Sequence, residues 1–241
     1  MVRYRLSGVA RVIAIDGPAA SGKSSTAALV AERLGWAHLD SGALYRALTL
    51  AALDRFGDVS AGSGAGWPVK RILALADELP VRLVLSGSAF RPEVAGVDVE
   101  EAIRSARVTA NVSAVAALPA VRSWVNTRQR EAVQAHHPDG VVVDGRDIGT
   151  VVFPAAPLKV FLTATPLERA RRRLSQRGQP LDPVRVARES DELAARDHAD
   201  TTRPVAPLKA APDAVVLDST MLSLAEQVDQ VVALARQRFP G

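Results

Sequence analysis

An open five-stranded parallel β-sheet with helices on both faces is the fold class this sequence predicts. Three observations predict it. Five short apolar runs alternate with helical patterns; four of them end in, or lead straight into, an aspartate; and a Gly-rich turn joins the first run to the first helix. The runs are Val12-Ile13-Ala14-Ile15, Trp36 to Leu39, Val141-Val142-Val143, Leu158 to Leu162, and Ala214 to Leu217, and the aspartates are Asp16, Asp40, Asp144 and Asp218. Runs this short and this apolar read as strands buried on both faces. Their alternation with helices implies a sheet covered on both sides, with ligands beyond the carboxyl ends of the strands.

The helices follow from their end signals. Ser24 to Leu34 is helical and stops at Gly35, and Ala43 to Phe56 carries a second helical pattern. Thr165-Pro166-Leu167-Glu168 and Ser223-Leu224-Ala225-Glu226 both read as capping boxes, the first with proline at the first helical position. The long gap between the second and third strands breaks the rhythm. It holds a Gly/Ser-rich loop at Ala61 to Gly66, short antiparallel strands from Val81-Arg82-Leu83-Val84-Leu85 through Val97, and helices around Val99 to Ala106 and Val121 to Val133. The gap therefore reads as a lobe inserted into the core.

Composition bounds the function. The chain has 241 residues, 48% of them hydrophobic, which is enough for a large core without covalent staples. It has no cysteine, hence no disulfide and no thiolate zinc site. No apolar run is long enough to span a bilayer, and the N-terminal apolar stretch is too short for a signal sequence. These features lead us to expect a cytoplasmic location with no membrane partner. The formal charge is +4, and all but Lys23, Lys70, Lys159 and Lys209 of the thirty basic residues are arginines. Biased composition accounts for some of them; a planar fork that matches phosphate oxygens is the functional alternative. A nucleic-acid surface is disfavoured, because acids interleave with the bases and aromatics are scarce.

Gly17-Pro18-Ala19-Ala20-Ser21-Gly22-Lys23-Ser24 matches G-x-x-x-x-G-K-[ST] in full, after a strand and running into a helix. This is a phosphate-binding P-loop. Glycines let the backbone wrap closely, and successive N–H groups with the positive helix end converge on phosphate oxygens. The predicted ATP-binding set is Gly17, Pro18, Ala19, Ala20, Ser21, Gly22, Lys23, Ser24 and Ser25. Lys23 brings a positive charge to the β/γ oxygens and Ser24 a hydroxyl to Mg²⁺. Asp144 is a candidate to hold a magnesium-bound water. The sheet is thus of P-loop NTPase type. The motif alone also fits GTPases and motor ATPases, but no N-K-x-D guanine-reading motif is present. Asp16 and Asp40 read as strand-end caps, and His38, His136, His137 and His198 as structural or exposed.

Two further segments narrow the acceptor. They are Leu39-Asp40-Ser41-Gly42-Ala43-Leu44-Tyr45-Arg46 and Asp144-Gly145-Arg146-Asp147-Ile148-Gly149-Thr150-Val151-Val152-Phe153-Pro154. With the P-loop, Asp218-Ser219-Thr220, and Arg196-Asp197 … Asp200 … Arg203 before Val205-Ala206-Pro207-Leu208, they resemble the bacterial cytidylate kinases over nearly the whole chain. That resemblance implies a nucleoside monophosphate kinase acting on CMP and dCMP with ATP and Mg²⁺, and a monomer. It implies an inserted lobe at about 79–105 within a monophosphate-binding region 43–133, a P-loop core of 1–42, 134–165 and 204–241, and a mobile lid 166–203. It also assigns Ser113, Arg122 and Asp147 to the cytosine base, Arg46, Arg146 and Arg203 to the acceptor phosphate, Arg196 and Asp200 to the pentose, and Ser41 to seating the monophosphate. A carboxylate at Asp147 suits the N4 amino donor of cytosine and repels O4 of uracil. An unpaired buried polar group costs roughly 1–3 kcal/mol, so CMP is expected to be preferred over UMP by about one to two orders of magnitude.

The stretch Pro166 to Gly178 carries Arg169, Arg171, Arg172, Arg173 and Arg177, most of them near one helical face. A solvated basic helix is the plain reading. The functional one is a lid that excludes water from the transferring phosphoryl group, with Arg172 as its catalytic cation beside Lys23, Arg146 and Arg203. Gln176 to Pro183 is then a turn and Val184 to Arg196 the returning helix. His198-Ala199 departs from the more charged pattern of the family. Competing readings are an adenylate, uridylate or shikimate kinase, a non-catalytic nucleotide-binding protein and an RNA-binding domain. The first group lacks the D-G-R-D-I-G-T segment or carries a G-G-G segment absent here, and the intact Lys23 and Ser24 oppose the second.

Overall fold

The structure is a computed structural model that describes residues 11–57, 67–135 and 139–240. The N-terminal segment, the Ala61 to Gly66 loop, His136 and His137 lie outside the described residues. The chain divides into two compact units, Met1–Leu39 with His137–Gly241, and Asp40–His136.

In the first unit, strands β1 (Val12–Asp16), β2 (Ala37–Asp40), β6 (Val141–Gly145), β7 (Leu158–Thr163) and β8 (Val215–Asp218) lie in the order β2-β6-β1-β7-β8. The pairings β1–β6, β1–β7 and β7–β8 are parallel, with Ile15 opposite Asp144 and Asp16 opposite Gly145. β1 is central and every residue in it is buried, as a strand covered on both faces requires. Helices α1 (Lys23–Leu34) and α8 (Leu224–Arg238) pack Ala27, Val30, Val228, Val231 and Val232 against Ile13, Ile15, Val160 and Leu162. Helices α6 (Pro166–Gln176) and α7 (Pro183–Thr202) form an adjoining pair, with Ala170, Leu174, Val186 and Leu193 in a smaller apolar cluster.

The second unit has α2 (Ser41–Phe56), α3 (Val69–Glu78), the antiparallel strands β3 (Val81–Ser86), β4 (Ala89–Val94) and β5 (Val97–Asp98), and helices α4 (Ala106–Ala116) and α5 (Pro119–Ala135). Ala95 and Gly96 both take positive φ, the conformation that a two-residue hairpin turn between β4 and β5 requires.

The structure departs from the sequence expectation at several places: helix α4 was not foreseen, and the helix expected at Val184 to Arg196 runs from Pro183 to Thr202. The segment Val99 to Ala106 is not a helix; only Ala102–Arg104 makes a 3₁₀ turn. Ser105, extended at ψ 155°, interrupts it and caps α4 instead, accepting from the Val108 N–H. Helix α3 was not anticipated. The capping box at Thr165 is half formed: Thr165 Oγ1 accepts from the Glu168 N–H, but the Glu168 carboxylate turns to Arg172. At Ser223 both halves of the box are made.

Candidate active site

The P-loop spans the turn from β1 to α1. A Cβ on Gly17 would lie 2.1 Å from the Leu162 carbonyl oxygen, so only glycine fits this approach to β7. Gly22 turns left-handed (φ 93°) directly before the helix. Ala20 is left-handed as well (φ 60°), which for a residue with a Cβ costs roughly 1–3 kcal/mol and persists only where the surroundings enforce it. Lys23 is buried, with Nζ donating to the Pro18 carbonyl at 3.1 Å, so its ammonium curls back over the loop. Ser25 is exposed on α1, and the Ser21 carbonyl accepts from Ser219 Oγ at 3.3 Å.

The strand-end aspartates divide into two kinds. Asp40 accepts from the Gly42 N–H (2.9 Å) as the N-cap of α2, and Asp218 accepts from the Thr220 N–H and hydroxyl. Asp16 accepts from Ile148 N–H and Gly149 N–H, both at 2.8 Å, and so caps a π-helical turn at Ile148–Val152. Burial is the largest influence on Asp16 and raises its pKa to about 6, against the opposing pull of the two amides and Lys23. Asp144 behaves differently. Its Oδ2 accepts from Ser24 Oγ at 2.5 Å and its Oδ1 lies 2.8 Å from His38 Nε2. Burial pushes this carboxyl up, yet His38, Lys23 and the Ser24 hydroxyl outweigh it and hold it below the ordinary carboxylate range. His38, read as structural or exposed from sequence, thus orients the carboxylate that meets the P-loop serine.

After β6 the chain gathers the next set. Arg146 Nε donates to Asp200 Oδ2 (3.1 Å); Arg203 Nη1 lies 3.7 Å from Asp200 Oδ1 and Nη2 3.5 Å from Asp147 Oδ1. Arg203 Nε also donates to the Ala206 carbonyl at 2.6 Å, where Ala206 turns left-handed. Two guanidiniums and two carboxylates from the turn after β6 and the end of α7 form one partly buried quartet. Arg196 is half-buried on α7.

In the second unit, α2 carries Ser41, buried at its start, and Arg46, whose Nη1 donates to Thr109 Oγ1 (3.0 Å) and the Ile103 carbonyl (3.3 Å). Arg122 of α5 is buried, donates to the Ala116 carbonyl, and stacks 5.5 Å from the Tyr45 ring centroid. Ser113 is exposed on α4. Sequence reading missed the buried polar support here: Tyr45 donates to Asn126 Oδ1, and Gln129 Nε2 to the Ser41 carbonyl.

Arg172 is placed differently from a cation aimed at phosphate. Its Nε meets Glu168 Oε1, Nη1 donates to Ser219 Oγ (3.0 Å), and Nη2 to the Ser219 carbonyl (2.6 Å). It ties α6 to the loop after β8. Arg173 and Arg177 both meet the buried Glu189 of α7.

A Walker-type loop on a central parallel strand, with a serine–aspartate pair beside it and guanidiniums brought together from the neighbouring strand's turn and the end of α7, defines a P-loop phosphotransferase. The family model for cytidylate kinase matches residues 13–237. The cytidylate kinase of Pseudomonas syringae pv. tomato is 46% identical over 224 residues, 93% of this chain and 94% of its own. That of Stutzerimonas stutzeri is 46% identical over 229 residues, 94% and 96% of the two chains. The chain belongs to the cytidylate kinase family and is a kinase. Among solved structures, a shikimate kinase from Bacteroides thetaiotaomicron aligns with 95% of this chain at 15% identity and a TM-score of 0.45, too remote to add to that assignment.

Proposed function

We propose that this enzyme transfers the γ-phosphoryl group of ATP to CMP and dCMP, giving CDP or dCDP and ADP. The observation that carries the acceptor reading is the quartet of Arg146, Asp147, Asp200 and Arg203, in the same unit as Lys23 and Ser24. An oxygen of the acceptor monophosphate attacks the γ-phosphorus, the bond to the β–γ bridging oxygen breaks, and ADP leaves. The attacking group is already an anion, so no general base is required, and the need is for cations that let two phosphates approach in line.

Lys23 serves the β/γ oxygens, and Arg146 and Arg203 the acceptor phosphate, together with Arg46 of the second unit. Asp147 takes the cytosine amino group, and Ser113 and Arg122 of the second unit are assigned to the same base. Asp200 and Arg196 take the pentose, and Ser41 seats the monophosphate. The P-loop backbone from Gly17 to Ser25 holds the triphosphate. The Ser24 hydroxyl and Asp144 carboxylate, already in contact, are hard oxygen donors that would hold Mg²⁺ or its bound water. When bound, Mg²⁺ would supply charge neutralisation to the transferring phosphoryl group. Residues 166–203 act as the lid. Arg169, Arg172, Arg173 and Arg177 are already engaged within the first unit, so Arg172 reaches a γ-phosphate only by leaving Ser219.

Charged nucleotides do not cross membranes unaided, so we place the enzyme in the cytoplasm and in pyrimidine nucleotide metabolism. Among the described residues no helix is long and apolar enough to cross a membrane. We assign no nucleic-acid polymer as partner and take the chain to act as a monomer. A coupled ADP-release assay with ATP and Mg²⁺ across CMP, dCMP, UMP, AMP and shikimate tests the reading. CMP and dCMP are expected to turn over, with kcat/KM for UMP lower by about one to two orders of magnitude. Turnover of none of them overturns it.

A further inference from the structure

Ala19, in the middle of the phosphate loop, has both backbone groups held by a side-chain pair from α6 and α7. Its N–H donates to Asp197 Oδ1 (3.3 Å), and its carbonyl accepts from Arg169 Nη1 (3.0 Å). Arg169 Nη1 also donates to Asp197 Oδ2 at 2.5 Å, closing a ring of three hydrogen bonds. Arg169 Nε is fixed in turn on the Ala164 carbonyl (3.1 Å), just ahead of α6. Both side chains are largely out of solvent. Around the ring Ala19 packs with Ala170, Leu174, Val186 and Leu193, and Ala20 leans on the same cluster.

We propose that Arg169 and Asp197 are positioning residues for ATP: they set the shape of the phosphate loop at Ala19–Ala20 without touching the nucleotide. The reason lies in the backbone. Ala20 sits left-handed without being glycine, so the loop does not hold this turn by its own preference. The turn decides where the next amides, those of Ser21, Gly22 and Lys23, point. Fixing both polar groups of the residue before it is the most direct way to hold it. A plain stability role explains the pair poorly, because a buried ion pair stabilises a fold little better than apolar packing of the same volume. The guanidinium of Arg169 holds the Ala164 carbonyl through Nε while Nη1 meets the Ala19 carbonyl and Asp197, a span between two nitrogens that the single ammonium of a lysine cannot reproduce. Because the two charges cancel, the pair holds the loop without adding a net charge beside the triphosphate.

The inference rests on residues 17–24 binding ATP. Calorimetric titration with a non-hydrolysable ATP analogue and Mg²⁺, without CMP, reads the donor side alone; steady-state kinetics with CMP reads the acceptor side. Asp197→Asn is expected to weaken analogue binding about tenfold, the effect of one charged hydrogen bond, with KM for CMP at saturating ATP changed less than about twofold. Arg169→Lys keeps a buried cation facing Asp197, so it tests the same ring if the first variant folds poorly, and it is expected to lose analogue affinity similarly. The double variant is expected to be no weaker than the worse single one, since either change opens the ring. A fall in melting temperature with analogue affinity unchanged overturns the proposal, as does an equal rise in KM for CMP. If the unmodified protein fails to bind the analogue, the ATP reading fails instead.

Discussion

Asp16 and Asp144 end neighbouring strands, and their surroundings drive them in opposite directions. Asp16 has its pKa raised from 3.8 to about 6. A carboxyl raised on folding favours the protonated folded state, so its contribution is complete below about pH 4 and is lost as pH rises through 6. At 1.36 kcal/mol per unit this amounts to about 3 kcal/mol. Denaturant unfolding of the wild type and Asp16→Asn, run at intervals from pH 4 to 7, should show the difference between them changing across that window and level above it. A difference flat throughout would mean that Asp16 ionises normally. Asp144→Asn is expected to cut kcat by about a hundredfold or more at saturating ATP and CMP, because a charge-assisted contact at the phosphoryl site is lost. An unchanged kcat with raised Mg²⁺ would reject that role. At the acceptor base, Asp147→Asn should bring the CMP:UMP ratio of kcat/KM close to one, since an amide can donate to O4 of uracil. A ratio that keeps its wild-type value would remove Asp147 from base recognition.

Elements were legible where the local signal and the packing agreed. Strands β1 and β6 carry apolar runs because both of their faces are covered, and the Ser223 box forms in full because the Glu226 carboxylate turns back to the Ser223 N–H and hydroxyl. Replacing Ser223 by alanine should cost about 1 kcal/mol of stability in denaturant melts and leave CMP turnover intact. Helix α4 was hidden for a physical reason: Ala106–Ala116 is rich in valine, threonine, asparagine and serine, which are weak helix formers, and packing of Val108, Val112 and Val115 overrides that preference. Helix α3 buries Ile72, Leu75 and Ala76 at helical spacing, but it is short and sits in a stretch that reads as loop and strand. In the site, the phosphate loop was readable because its geometry admits so few sequences. The side-chain pairings were not. Spacing puts Arg169 and Arg172 on one face of α6 but does not say that one grips Ala19 and the other Ser219. His38 is a lone histidine in sequence, and only the fold brings it to Asp144.

At the scale of the whole molecule, two compact units each hold several of their proposed substrate residues by internal polar ties. The first holds Lys23, Ser24, Asp144 and the quartet; the second holds Arg46 on Thr109 and Arg122 on Tyr45 and Ala116. Each of these ties lies within one unit. Light scattering behind size exclusion should return the mass of one chain; a dimer that survives dilution would contradict the monomer reading. The quartet has a consequence for the enzyme in electrolyte. Two arginines standing open in the empty enzyme would gather chloride or buffer phosphate, and the substrate would have to displace those counterions. Here Asp147 and Asp200 already occupy that place, so the quartet itself is close to neutral and has little call on ions from solution. The KM for CMP should accordingly climb only shallowly between low and physiological salt, where a bare arginine pair would give a steep dependence.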